Sequence, residues 1–322
     1  MSRYARQMIL PEVGAEGQDR LARAHVLVVG AGGLGCPVLQ YLGGAGVGCI
    51  TVIDGDRVEE SNLHRQVLYA MEDIGLPKAE SARRHLLAAN PDLQVTAMVR
   101  RLDAANAVEM VARADLVVDA ADSFAVSYTL SDECLRQGKL LISASALGQS
   151  GYAGGFCGGG PSLRAVFPDL PAQAATCATA GVMGPAVGMI GALQAQLALK
   201  ALLNHQPSPR GQLFIFRLED LQVSSFRFDN AEEPEEALPF IAAAQISAAD
   251  TVIELRDAAE APGLPARQAR RISRANLLAA GLPREGRIVL CCRTGLRAWG
   301  AAQDLRQAGY GDLALLAAGG GA

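Results

Sequence analysis

Short uninterrupted apolar runs alternate along this chain with longer stretches in which apolar positions recur at helical spacing. Residues 25–29, His-Val-Leu-Val-Val, form a β-branched run of the kind buried on both faces of a parallel sheet. The turn Gly30-Ala31-Gly32-Gly33-Leu34-Gly35 follows, and 37–42 reads as helix. A second apolar strand is predicted over 49–53 and ends at Asp54. The spacing then predicts a helix over 77–90, with Arg83 and Arg84 on an exposed basic face, and buried strands over 116–120 and 140–144. Strands and helices alternating in this way predict an α/β fold with a doubly wound, mostly parallel sheet.

Beyond this region, 148–160 is glycine-rich enough to be loop or irregular strand, and helical pattern resumes near Ala180. The apolar segment 182–203 carries Gln194, Gln196 and Lys200, which favours a buried helix over a membrane span. The acidic stretch 229–236 has no apolar period and reads as a solvated linker. After it a smaller alternation returns, with strands over 251–255, 287–291 and 313–316 and a helix over 298–308. The expected organisation is a first domain over 1–228, a linker over 229–242 and a second, smaller α/β domain over 243–322.

Composition narrows the setting. The chain has 322 residues, half of them apolar, which is enough for two cores. A net charge of −4 gives no global attraction to nucleic acid or an anionic membrane, so neither is expected as a partner. Seven scattered cysteines, an odd number, suggest reduced thiols in the cytoplasm and not a disulfide framework. The opening residues lack the apolar core of a signal peptide.

The first chemical signal is Gly30-x-Gly32-x-x-Gly35 between a strand and a helix. Such a turn presents bare amides at a helix N-terminus, as phosphate binding requires in a Rossmann-like sheet. Asp54, ending the next strand, is placed to accept from ribose hydroxyls. These features alone fit an NAD-dependent oxidoreductase as well as an ATP user. The residues that follow separate the two: Asp54-Gly55-Asp56, then Ser61-Asn62-Leu63-His64-Arg65-Gln66, then Lys78. Hydride transfer has no need of so many cations beside the nucleotide, whereas adenylyl transfer must neutralise an α-phosphate and a departing pyrophosphate. Asp119-Ala120-Ala121-Asp122-Ser123 adds carboxylates at the tip of a further strand, one of which can hold Mg²⁺ through the phosphates.

Together with Arg3-Tyr4-Ala5-Arg6-Gln7, these segments resemble the ThiF/MoeB/HesA family, sulfur-carrier-protein adenylyltransferases related to ubiquitin-activating enzymes. The resemblance covers roughly residues 1 to 225. It implies ATP and Mg²⁺ as cofactors, with Gly30, Gly32, Gly33 and Gly35 at the phosphates, Asp54 and Asp56 beyond them, and Arg6 and Lys78 on the phosphates. Asn62 and Gln66 would shape the phosphate pocket, and Asp122 would bind Mg²⁺. Arg65 would act as an arginine finger in the neighbouring subunit's site, which implies a homodimer. Read on their own, Arg6 is equally a surface charge and Arg65 a bridge to Asp56, while His64 fills a variable place.

Family members usually carry two Cys-x-x-Cys pairs for a structural zinc, and this chain has no Cys-x-x-Cys. Where the first pair would fall it reads Pro161-Ser162-Leu163-Arg164-Ala165, with Cys157 nearby. No structural zinc is expected. Cys177, in Ala174-Ala175-Thr176-Cys177-Ala178, resembles the family's loop cysteine that can bond covalently to the carrier.

Near the C-terminus, Cys291-Cys292-Arg293-Thr294-Gly295-Leu296-Arg297 lies between strand and helix. Backbone amides at a helix start lower a thiol pKa and suit a persulfide. The run resembles the active loop of a rhodanese-like domain, with Cys292 the sulfur-accepting nucleophile, Arg297 closing the loop and Cys291 the buried last residue of the strand. The domain is expected to be shortened, with Gly263-Leu264-Pro265 the remnant of a longer motif. The function expected is ATP-dependent adenylation of the Gly-Gly carboxylate of a small ubiquitin-like sulfur-carrier protein, then sulfur transfer from a donor such as a cysteine desulfurase. The rival outside enzymology is a nucleotide-binding scaffold that recruits the carrier without turning it over.

Overall fold

The computed structural model describes residues 3–171 and 181–319. Its elements run α1 (Gly14–Arg23), β1 (His25–Val29), α2 (Gly35–Ala45), β2 (Cys49–Ile53), α3 (Lys78–Ala89), β3 (Gln94–Met98), α4 (Ala107–Arg113), β4 (Leu116–Asp119), α5 (Phe124–Gln137) and β5 (Leu140–Leu147). There follow β6 (Ser150–Cys157), α6 (Leu163–Val166), α7 (Gly184–Leu202), β7 (Gln212–Arg217) and β8 (Gln222–Arg227). The strands form one sheet in the order β3-β2-β1-β4-β5-β6-β7-β8. It is parallel from β3 to β5 and antiparallel from β5 to β8.

Alternation along β1 explains why both faces are covered. Val26 and Val28 enter one core with residues of α2, α3 and α7, whereas Leu27 and Val29 enter another with residues of α4 and α5. From β1 the chain steps to β2 and β3 on one side, then crosses to β4 and β5 on the other. That reversal opens a crevice beyond the carboxyl ends of β1 and β4, where doubly wound sheets hold their ligands.

A second sheet contains β9 (Thr251–Glu254), β10 (Arg270–Arg271), β11 (Ile288–Cys292) and β12 (Leu313–Ala317), in the order β10-β9-β11-β12, all parallel. One helix, α8 (Leu296–Gln307), crosses from β11 to β12. β11 extends one residue further than expected, so Cys292 and not Cys291 ends it. Both cysteines are fully buried, on opposite faces of the pleat. Gly263-Leu264-Pro265 belongs to no strand, and Arg270–Arg271 forms the partner of β9.

The linker is less solvated than its charge predicts. Leu238 and Phe240 are buried, and the Ser162 amide and hydroxyl both donate to the Glu233 carboxylate at 2.6 Å. Ser162 caps α6, and Arg164 donates to Asp132 at 2.6 and 2.8 Å and to the Leu238 carbonyl at 3.1 Å. So the segment expected at the first zinc pair ties to the linker by hydrogen bonds. Cys157 is buried there, its thiol donating to the Ser131 carbonyl at 3.4 Å. Among the described residues no group of three His, Cys, Asp or Glu is placed to hold a metal. Glu233→Ala would leave the buried Ser162 amide without an acceptor, so urea denaturation should show a loss of about 1–3 kcal/mol. An unchanged midpoint would mean that the clasp contributes nothing. Among the described residues no helix is long and apolar enough to cross a membrane.

Candidate nucleotide site

The crevice is built by backbone first. Gly30 leaves β1 with φ +94° and donates to the Ile53 carbonyl at 2.9 Å, while a Cβ there would stand 2.5 Å from the Ala120 carbonyl oxygen. The turn is thus squeezed between the ends of β2 and β4, and only glycine fits. Asp54 braces it: the Ala31 amide donates to one carboxylate oxygen at 2.7 Å and the Asp56 amide to the other at 2.8 Å. Burial pushes the Asp54 carboxyl up, opposed by the charge of Lys78 and by those two amides. A carboxylate has about four lone-pair sites, so capacity remains for ribose hydroxyls.

Tyr69 was invisible in the sequence, since no motif includes it. Its buried hydroxyl donates to the Ala31 carbonyl at 2.7 Å and approaches the Lys78 carbonyl at 3.2 Å. It therefore links the turn to the start of α3. Lys78 is 7% exposed, and its ammonium lies 3.4 Å from Asp56. A cation in the first turn opposes the helix dipole, a placement that stability alone does not favour.

Arg65 donates to the Ser61 carbonyl at 3.2 Å and to His64 Nε2 at 2.8 Å. Its Cγ lies 3.7 Å from where a Gly33 Cβ would be, so it leans on the turn of its own chain. It does not bridge to Asp56, which pairs with Lys78. Gln66 is 3% exposed beside Gly32, and its Oε1 has no hydrogen-bond partner. Asn62, half-buried, donates to the Ser61 hydroxyl at 3.2 Å. Arg84 is not simply solvated: it pairs with the fully buried Asp73.

Arg6 is exposed, in a segment that crosses the C-terminal end of α2. Its neighbour Gln7 donates to the Ala45 carbonyl at 2.8 Å, at the C-terminal end of α2. The glycine turn lies at the other end of that helix, about 16 Å away at 1.5 Å per residue. The sequence could not reveal this separation, which depends on the path of 3–14 across the helix end.

The two carboxylates at the end of β4 divide their roles. Asp119 is fully buried, accepts from the Ser143 hydroxyl at 2.8 Å and the Ala121 amide at 3.2 Å, and is pushed up to about 6 by burial. Asp122 is exposed and available to a cation. One carboxylate plus phosphate oxygens and water is an ordinary Mg²⁺ donor set, so these residues fit that ion. Cys177 lies outside the described residues. Cys292 Sγ accepts from the Gly295 amide at 3.1 Å and the Ala298 amide at 3.4 Å. Arg297 pairs with Glu260 at the start of the following helix.

The ThiF family profile matches residues 4–237 of this sequence. The chain belongs to the ThiF family. The match takes in every nucleotide-site residue discussed above, and the sheet bearing Cys292 lies beyond it. The chain is 47% identical over 235 residues to a Thermus thermophilus protein named sulfur carrier protein adenylyltransferase, covering 70% of this chain and 86% of that one. It is 43% identical to the Haloferax volcanii SAMP-activating enzyme E1, covering 69% of this chain and 83% of that one. A Culex quinquefasciatus relative named adenylyltransferase and sulfurtransferase MOCS3 is 44% identical, with 70% of this chain and 52% of that one covered. Among solved structures, that of E. coli MccB with SeMet MccA superposes with a TM-score of 0.62 at 25% identity, over 70% of this chain and 71% of that one. ThiF kinship and the crevice thus agree on a nucleotide-binding fold.

Proposed function

We propose that this adenylyltransferase uses ATP to activate the C-terminal carboxylate of a small ubiquitin-like sulfur-carrier protein ending in Gly-Gly. The observation that carries the reading is the gathering of Lys78, Arg65, Asp54 and the bare glycine turn at one sheet edge. Relatives named for sulfur-carrier adenylation support the substrate class. The carrier carboxylate would attack the α-phosphorus as pyrophosphate leaves, so no general base is needed. Lys78 and Arg65 would neutralise the charge that develops. Asp122 would hold Mg²⁺, which supplies further neutralisation of the phosphates.

A homodimer fits this reading through Arg6. Standing at the far end of α2, it can serve phosphates only across a subunit boundary, while Arg65 acts within its own chain. In the finer reading, sulfur delivered by a cysteine desulfurase rides as a persulfide on Cys292. Its terminal sulfur would attack the acyl carbon and expel AMP, and a second thiol would open the resulting acyl disulfide to the thiocarboxylate. The amides at Cys292 Sγ support that role. Cys177 is the other candidate for a covalent link to the carrier.

The test is carrier-dependent ATP–pyrophosphate exchange with candidate Gly-Gly proteins. Exchange should require the carrier and fall roughly 10²–10³-fold in Asp122→Ala. Carrier binding without any exchange would favour the scaffold; binding of NAD in place of ATP would favour an oxidoreductase.

A further inference from the structure

We infer that the cysteine loop of the small sheet serves the nucleotide site of its own chain, with Arg101 as the positioning residue that holds the two together. The inference rests on the reading of adenylation followed by sulfur transfer. It begins at the end of β3. The Asp54 amide donates to the Met98 carbonyl at 3.2 Å, so the exits of β2 and β3 lie side by side at the nucleotide edge. Arg101 follows three residues later, and a Cβ at Gly55 would stand 3.2 Å from both its amide nitrogen and its Cγ. From there its guanidinium reaches Gly319, filling the space a side chain would need.

Gly319 belongs to the cysteine loop's own framework. Its amide donates to the Arg293 carbonyl at 2.9 Å, and the preceding Ala318 amide donates to the Cys292 carbonyl at 2.9 Å. The Gly319 carbonyl accepts from Arg256 at 2.9 Å, and Arg256 is in turn fixed on the fully buried Glu254 at 2.8 and 2.9 Å. The path from Asp54 through Arg101 and Gly319 to Cys292 is therefore continuous packing within one chain. The far side of the small sheet is pinned as well: Trp299 of α8 meets Tyr128 of α5 with ring centroids 6.4 Å apart, and Gln303 donates to Asp169 at 3.3 Å.

Charge points the same way. Arg101 and Arg293 are exposed and form no ion pair among the described residues. Two unneutralised cations beside the cysteine loop raise the local concentration of anions. An acyl phosphate at the end of an extended carrier tail is an anion of that kind. Arg101 touches neither thiol nor nucleotide in this arrangement; it sets the distance between them.

Each chain carries one nucleotide site and one Cys292, so complementation separates delivery within a chain from delivery between chains. Asp122→Ala and Cys292→Ala chains are co-expressed so that mixed assemblies form, and carrier thiocarboxylate is read by mass spectrometry. Delivery within one chain predicts that the mixture stays at the background of either variant. Recovery well above that background overturns the inference. In a second arm, Arg101→Ala should leave carrier-dependent pyrophosphate exchange unchanged but slow thiocarboxylate formation roughly a hundredfold, with Arg101→Lys recovering part of the loss. Wild-type thiocarboxylate formation in Arg101→Ala would overturn the role of that residue, and the mixing arm stands if the variant does not fold. Wild-type exchange without any thiocarboxylate would refute the sulfur-transfer reading beneath the inference. Absence of exchange would refute adenylation itself.

Discussion

Lys78→Met should lower carrier-dependent pyrophosphate exchange by roughly 10²–10³-fold while leaving the fold at least as stable as the wild type. The two halves of that expectation come from the same geometry. Lys78 is buried at the first residue of α3, where desolvation and the helix dipole both disfavour a cation. Its ion-pair partner among the described residues, Asp56, is exposed and loses little when the ammonium is removed. A group kept where stability does not favour it is best explained by charge that appears only when substrate is present. Exchange kinetics and thermal unfolding, measured on one preparation, check both halves. Exchange within a few-fold of wild type, together with a lower melting point, would instead make Lys78 a structural counter-ion for Asp54 and Asp56.

The second large effect should come from a single methyl group. A Cβ on Gly35 would overlap the Gly30 carbonyl oxygen, which is backbone and cannot rotate away. Gly35→Ala is therefore expected to cost about 3 kcal/mol or more and to abolish ATP binding, because relief requires opening the turn that cradles the phosphates. Gly44, in the same helix, provides the control: a Cβ there meets nothing within 4 Å. Gly44→Ala should be stabilising by about 0.5–1 kcal/mol and should not alter binding. If the two variants melt alike, the turn is more pliable than its contacts imply.

How far the sequence speaks depends on whether a segment's neighbours are local. The residues predicted over 25–29 and 49–53 coincide with β1 and β2, since strands buried on both faces must be apolar throughout. β3 was not legible: as an edge strand its side chains are exposed or half-buried, so no apolar run marks it. Neither were α1, α4 and α5, and buried Ser131 and Glu133 blur the apolar face of α5. The glycines over 148–160 leave loop and irregular strand open, and the structure makes most of them β6, where Ile190 of α7 presses where a Gly151 side chain would stand.

The site divides in the same way. Asp54, Lys78 and the glycine turn were legible because strand, turn and helix fix their relation within short spans. Tyr69 and the burial of Asp119 were not, since each depends on elements that meet only in the folded sheet. Arg6 and Arg65 lie at opposite ends of α2 for a plain geometric reason. A motif records which residues accompany one another, and the length of α2 decides which of them share a pocket.

The pleat of β11 has a chemical consequence for sulfur. Adjacent thiols in a flexible segment can close on each other, and a persulfide on one would be discharged by its neighbour. Here consecutive side chains point to opposite faces, so Cys291 faces one core and Cys292 the other. A sulfur atom loaded on Cys292, as proposed, would thereby be insulated from the nearest thiol in the sequence. On the proposed sulfur-transfer reading it would leave toward an electrophile or a thiol arriving at the loop, and the backbone itself would guard against idle turnover.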